Sequence, residues 1–232
     1  NAAGIPCSLL TGEESITAPE AQIVASTIEL CSYHRHFRVA VIDEAQLITD
    51  DERGASWLKA ICCVDADEVH ICLAPEALGI LESLISQFGD PYTIVRHKRL
   101  VPLEYKGRCN GFEELQPADA VICFSRKNVL SVAAHLERYG FRASVIYGAL
   151  PPVARRNEVE KYVSGETNII VATDAIGMGI SLPIRRIIFA ETQKFDGKQQ
   201  RPLTSGEVCQ IAGRAGRFGM YDLGEVLTMD NT

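Results

Sequence analysis

No apolar run in the sequence approaches the ~20 residues that a membrane-spanning helix needs. The opening residues "NAAGIPCSLLTGEES" also lack the basic start and long apolar core of a signal peptide. There is no repeat at solenoid length and no low-complexity tract, which excludes repeat arrays and long disordered tails. Eight cysteines are present, but none forms a C-x-x-C pair and only Cys62 and Cys63 lie close together. Most sit in apolar text such as "VICFS" and "VHICLA", so they read as reduced core thiols in a reducing compartment rather than as disulfides or zinc ligands. His34, His36, His70, His97 and His135 show no metal-ligand spacing, and His70 and His97 lie in or beside strand text, where a hydrogen-bonded ring is expected. The lone Trp57 reads as helix packing.

What the chain does contain is ordinary globular text: 232 residues, 47% hydrophobic and 23% charged. The net charge of −7 is unevenly spread. Residues 1–98 hold 6 Lys and Arg against 15 Asp and Glu, whereas residues 99–232 hold 17 against 15. The whole-chain charge therefore describes neither half, and local placement of Arg and Lys decides whether phosphate can be bound. Strand-like runs occur at 22–27, 38–43, 68–74, 92–96, 119–125, 143–148, 168–173, 185–191 and 224–229. Helix-like stretches fall near 53–63, 75–88, 126–139, 153–164 and 204–215. Strand–helix alternation with continuous apolar strands predicts an α/β fold with mainly parallel sheets covered on both faces. The pattern weakens over about 97–118, which predicts a boundary near residue 98, with residues 1–98 a partial unit and 99–232 a complete one.

Three motifs carry chemistry. In "FRVAVIDEAQLITDD" (37–51) an apolar run ends in two adjacent carboxylates, Asp43 and Glu44. At the carboxyl end of a parallel strand such a pair lies where α/β sheets bind ligands; Asp suits Mg²⁺ and Glu suits activation of a water. A helix N-cap beside a surface acid is the alternative, and the pair alone does not separate the two. In "VATDAIGMGISLP" (171–183) a strand runs into a loop spaced by Gly177 and Gly179, which allows close backbone approach to a phosphate but is also common in plain turns. In "QIAGRAGRFG" (210–219) Arg214 and Arg217 are three apart, so on a helix they share a face, and the small residues around them leave a polyanion room to approach. A solvated basic helix end is the bland reading of that text.

Together, and in this order, the three motifs resemble those of the superfamily-two, DExH-type helicases, which are built from two RecA-like lobes. "DEAQ" (43–46) is similar to motif II, "VATDAIGMGISLP" to motif V, "QIAGRAGRFG" to motif VI, and "VICFS" (121–125) stands where motif IV is expected. "TGEE" (11–14) and "ASTIEL" (25–30) resemble the nucleic-acid contact motifs of the first lobe. The Gln in the box, "VIYGALPP" (145–152), "ATDAIGMGI" and "RRIIF" (185–189) narrow the resemblance to the mitochondrial RNA-degradosome helicase family and its bacterial relatives.

The resemblance implies ATP and Mg²⁺ as cofactors and single-stranded or partly duplex RNA as partner, with translocation 3′ to 5′ in RNA turnover. An exoribonuclease is a further implied partner, and no membrane is. The compartment would be the cytoplasm of a bacterium or the mitochondrial matrix of a eukaryote. By motif match, Asp43 would hold the Mg²⁺, Glu44 would activate the water, and Arg214 and Arg217 would reach across the interlobe cleft as arginine fingers, worth about 10³–10⁵ in rate. Gln210 would couple the lobes, with Gln46 as its counterpart, and Gly179 and Ser181 would touch the nucleotide. Thr11, Gly12, Thr27, Ser125, Gly148 and Thr173 match positions that hold RNA phosphates without reading sequence.

Two departures stand out. The motif III position is "LAP" (73–75), so its usual hydroxyls are missing, and no G-x-x-x-x-G-K-[ST] loop occurs. Family members carry that loop ahead of the "TGEE" region, so the chain is expected to be a fragment that hydrolyses ATP negligibly by itself. The competing expectation is a non-catalytic RNA-binding or scaffolding module derived from a helicase.

Overall fold

The computed structural model describes residues 4–177 and 182–229. The chain forms two compact units, Asn1–Val95 and Arg96–Thr232.

The first unit holds two small sheets. Strands β1 (Cys7–Leu10), β2 (Ser15–Ile16) and β3 (Ile23–Ser26) pair in the order β2-β1-β3, with β1 parallel to β3. Strands β4 (Phe37–Ile42) and β5 (Ala66–Ile71) form a parallel pair joined through helix α1 (Gly54–Cys63). Helix α1 starts where Asp50 accepts bonds from the Glu52 and Arg53 amides, an Asx-type turn that satisfies donors ahead of its first turn. Its apolar stripe buries Trp57 and Ala60 against Ile42 and Ala45. A second helix, α2 (Leu78–Phe88), ends at Gly89 in the left-handed region.

The expectation of two covered faces fails in this unit. Val39 and Val41 are 51% and 65% exposed, because α1 packs on one side of the β4–β5 pair and no described residue covers the other. Residues 92–96, expected as a strand, adopt neither helix nor strand; "YTIVR" has β propensity but pairs with no strand among the described residues.

The second unit is a six-stranded, all-parallel sheet. Its strands are β6 (Leu103–Cys109), β7 (Asp119–Ile122), β8 (Ala143–Ile146), β9 (Ile169–Ala172), β10 (Arg186–Phe189) and, after a separate hairpin of β11 (Gln193–Phe195) and β12 (Gln200–Pro202), β13 (Gly224–Met229). The order is β6-β13-β10-β7-β9-β8. Helices α3 (Arg126–Leu136), α4 (Pro152–Val163) and α5 (Ser205–Ala212) complete it. Every residue of β7, β9 and β10 is buried, as continuous apolar text demands of a sheet packed on both faces. Alternation along each strand feeds two cores: Ile122, Ile146, Ile170, Ile187 and Ile211 on one face, and Val121, Val129, Leu136, Ile169 and Ile188 on the other. Each such side chain contributes about 1.5–3 kcal/mol.

One pair of charges is buried in this sheet. Asp119 and Arg186, in register on β7 and β10, bond at 2.7 Å (Nε to Oδ1) and 2.5 Å (Nη2 to Oδ2). Gln116 N and Glu114 O complete the set, and the Asp119 carboxylate holds the Arg186 guanidinium above its usual value.

The cysteines only partly follow expectation. All eight are free thiols, but Cys62, Cys63, Cys72 and Cys209 are exposed, and only Cys109 and Cys123 are core residues. Burial pushes the Cys123 thiol up to about 12, which makes it inert. No helix among the described residues is long and apolar enough to cross a membrane.

Candidate functional site

In the first unit the DEAQ box begins where β4 ends. The Ala45 amide donates to Cys72 O (2.9 Å) and the Cys72 amide to Ile42 O (2.9 Å), so the chain stays paired one step past the strands. Glu44 then takes a left-handed conformation (φ 55°, ψ 36°), a departure for a non-glycine residue that costs about 1–3 kcal/mol and clusters at functional positions. The strain is held in place by several bonds. Trp57 Nε1 donates to Asp43 O (2.9 Å), the Glu44 amide donates to Asp43 Oδ1 (2.9 Å), and Gln46 Nε2 donates to Glu44 Oε2. Gln46 also accepts from the Ala74 amide (3.1 Å), so the "LAP" segment reaches the box through its backbone although it lacks the usual hydroxyls.

The exposed Asp43 carboxylate has Oδ1 engaged by an amide and presents a hard oxygen at the carboxyl end of a parallel strand, which is the donor chemistry Mg²⁺ takes. Thr11 and Thr27 follow the ends of adjacent strands β1 and β3, and the Thr27 amide donates to Leu10 O (3.0 Å). Thr11 Oγ1 accepts from the Glu14 amide (2.9 Å) and shapes the turn containing Gly12.

In the second unit, chain crossovers place the carboxyl ends of β7, β9 and β8 side by side. Ser125, Thr173 and Gly148 come just after those three ends. Thr173 N donates to Ile146 O (2.9 Å), Ser125 Oγ caps α3 by accepting from Asn128 N (3.0 Å), and Arg155 Nη2 donates to Gly148 O (3.1 Å). Arg126 lies over the Tyr147 ring at 5.4 Å beside them.

Motif VI corrects the sequence reading. Helix α5 stops at Ala212, so Arg214 and Arg217 do not share a helix face; they lie in the turns that follow. The reason is local: Gly216 sits at φ +70°, and Ala215 pairs with Ile184 in a parallel bridge that no continuing helix could make. Arg214 Nη2 donates to Gly177 O, while Gln210 on α5 lies against Gly177, where an added Cβ would meet its Cγ at 3.4 Å. Motif V and motif VI are thereby joined. A cavity of about 290 Å³ opens at this turn, lined by Arg99, Leu182, Arg214, Arg217 and Phe218.

A second brace joins motif V to helix α5, on which motif VI begins at Gln210. Lys194 on β11 bridges Asp174 (3.0 Å) and Glu207 (2.8 Å), while Arg201 on β12 forks onto Glu207 at 2.8 and 2.9 Å. Glu207 also closes a capping box with Thr204 at the start of α5. The Arg201 fork, together with Lys194, outweighs burial and holds the Glu207 carboxyl far below the usual range.

Asp43, Glu44 and Gln46 thus sit together in one unit, and Gln210, Arg214 and Arg217 sit together in the other. Gly179 and Ser181 lie outside the described residues. Sequence reasoning missed the Gln46–Ala74 link, the Trp57–Asp43 bond, Lys194 and Arg99. Arg99 fell in text read as a boundary, and Lys194 lay outside the motifs singled out in the sequence.

The DEXQ-box helicase domain of Suv3 matches residues 1–97, and the helicase conserved C-terminal domain matches residues 107–219. The chain is 40% identical to the mitochondrial ATP-dependent RNA helicase SUPV3L1 of Homo sapiens over 244 residues, covering 100% of this chain and 31% of that protein. It is 39% identical to the mitochondrial DExH-box ATP-dependent RNA helicase DExH18 of Arabidopsis thaliana, covering 94% of this chain and 29% of that protein. The chain therefore spans about a third of the length of these relatives. Among solved structures, S. cerevisiae Dbp5 L327V bound to RNA and ADP BeF3 matches with a TM-score of 0.72 at 14% identity, covering 99% of this chain and 65% of that one, which is a likeness of fold. With a Suv3-type DEXQ-box domain followed by a helicase C-terminal domain, the chain belongs to the Suv3-type DEXQ-box helicases.

Proposed function

We propose that the protein carrying this sequence is an ATP-dependent RNA helicase that couples ATP hydrolysis to translocation along RNA. The observation that carries the reading is the DEAQ box: two carboxylates follow the end of a parallel strand, one of them in a strained left-handed conformation braced by Gln46 and Trp57. Strain of this kind survives only where the surrounding structure fixes it.

When bound, Mg²⁺–ATP supplies a phosphoryl group whose charge the metal partly neutralises. Asp43 would hold the metal. Glu44, steered by Gln46, orients the attacking water and takes its proton. Arg214 and Arg217 offset charge that builds on the transferred phosphoryl oxygens. Gln210 and Arg214, both against Gly177, carry changes at the triphosphate into motif V, whose Thr173 stands beside Ser125 and Gly148. Those three, with Thr11, Gly12 and Thr27 in the first unit, hold successive RNA phosphates through hydroxyl and backbone groups. Such contacts position the strand without reading its bases.

The named relatives are mitochondrial, which supports a mitochondrial matrix location in a eukaryote; a bacterial protein of this type would be cytoplasmic. Work in RNA turnover beside an exoribonuclease follows from the same reading. The test is ATP hydrolysis by the full-length protein with and without single-stranded RNA, together with unwinding of a 3′-tailed duplex. RNA-stimulated turnover with unwinding is expected. RNA binding without hydrolysis would instead favour a scaffolding module.

A further inference from the structure

The Arg99 guanidinium is engaged by backbone carbonyls. Its Nε donates to Val101 O at 2.7 Å, its Nη1 to Gly213 O at 2.9 Å and its Nη2 to Ala215 O. The last two carbonyls flank Arg214. Burial pushes the Arg99 guanidinium below its ordinary value, the opposite of what a carboxylate partner would do. Its role is therefore geometric: a planar fork spanning two carbonyls of one turn. A lysine ammonium is a point charge and cannot make that fork.

The turn that Arg99 grips is also held from its far side and from the end of α5. Gly216 N donates to Ile184 O at 2.9 Å, and Ala215 bridges Ile184. Helix α5 ends at Ala212, and the Gly213, Arg214 and Ala215 amides still donate to Cys209 O, Ile211 O and Ala212 O at 2.8, 3.0 and 3.0 Å; that fixes the donors of these peptides and leaves the Gly213 and Ala215 carbonyls to Arg99. The two carbonyls that flank Arg214 are thus held by a side chain 115 positions away from it in sequence. Arg99 itself lies in a stretch without helix or strand, just inside the second unit.

We propose that Arg99 is a positioning residue for Arg214, fixing the backbone of motif VI so that the arginine presents its guanidinium to the transferred phosphoryl group in one orientation. The assignment rests on the helicase reading given above. It acts through geometry alone. Misplacing a reacting group by about 1 Å can cost on the order of 10²-fold in rate, so the effect falls on kcat rather than on nucleotide affinity.

The test uses the full-length protein, its RNA-stimulated ATPase, and the variants Arg99→Lys and Arg99→Gln alone and combined with Arg214→Ala. Each single Arg99 variant is expected to lower kcat by about 10–100-fold with KM for ATP within about threefold of wild type. In the Arg214→Ala background the same change is expected to lower kcat by less than about twofold, because the group it positions is gone. A kcat within twofold of wild type for both variants would overturn the assignment. So would an equal fold-loss in the Arg214→Ala background, or failure of both variants to fold at the assay temperature, since either result makes Arg99 a structural residue. If the wild-type protein shows no RNA-stimulated turnover, the helicase reading itself falls and takes this assignment with it; turnover in wild type with unaffected Arg99 variants sinks only the assignment.

Discussion

Gly216→Ala is expected to destabilise the second unit by about 2–5 kcal/mol. Two effects add. The residue sits at φ +70°, where an L side chain costs about 1–2 kcal/mol. An added Cβ would also lie 2.5 Å from Gly224 N, 2.6 Å from Gly224 Cα and 2.9 Å from Val101 Cγ1. Neither neighbouring backbone can step aside, because Gly216 N is bonded to Ile184 O and Gly224 N to Pro102 O, both at 2.9 Å. Relieving such an overlap costs about 1–3 kcal/mol more. For a protein of this size the sum corresponds to a fall of roughly 4–20 °C in thermal midpoint. The assay is thermal unfolding followed by circular dichroism. Gly148→Ala serves as the control, since an added Cβ there meets nothing within 4 Å and its φ is not in the left-handed range. That variant should stay within about 0.5 kcal/mol of wild type. A Gly216→Ala protein that melts within about 1 °C of wild type would show that the 213–217 turn is not pinned as described.

Asp119→Asn leaves Arg186 buried without its carboxylate and should cost about 3–5 kcal/mol in urea unfolding, whereas Asp119→Leu combined with Arg186→Met should recover most of that loss. A cost below about 1 kcal/mol for Asp119→Asn would contradict a tight buried pair. Glu207, held far below the usual carboxylate range, binds a proton more readily in the unfolded chain than in the folded one. Its contribution is thus complete above the unfolded carboxylate range near pH ~4.3 and is lost as pH falls toward the depressed folded value. Glu207→Gln should lower stability at pH 7 and flatten the loss of stability from pH 5 to pH 3; parallel wild-type and variant curves over that window would refute the sign.

The second unit was largely legible in the sequence because its central strands are buried on both faces. Stretches such as "NIIVAT" carry no polar alternation, so burial and strand assignment coincide. Strand β6 was missed for the converse reason. It is an edge strand whose exposed Glu104, Lys106 and Arg108 break the apolar signal, although charge at an edge is how sheets avoid pairing with other chains. Short pairings such as β1–β2 and the β11–β12 hairpin depend on partners that local text does not name. The DEAQ box was readable from an apolar run ending in two acids, but not the left-handed turn at Glu44, since no glycine marks it. In motif VI the two arginines were readable and their helix was not. Ala and Gly continue a helical pattern on paper, while a parallel bridge from Ala215 to Ile184 ends it in fact. Arg99 and Lys194 act over long sequence separations, through a turn and a hairpin whose positions only the folded chain defines.

The proposed function stands or falls on whether the DEAQ acids and the motif VI arginines serve one phosphoryl-transfer step. The most direct measurement is kcat for RNA-stimulated ATP hydrolysis by the full-length protein carrying Glu44→Gln, Arg214→Ala, or both. Each single change is expected to lower kcat by at least about 10²-fold, and the double variant to lose little beyond the worse single one, as groups acting in the same step do. Single variants that turn over within about threefold of wild type, or losses that multiply in the double variant, would contradict it.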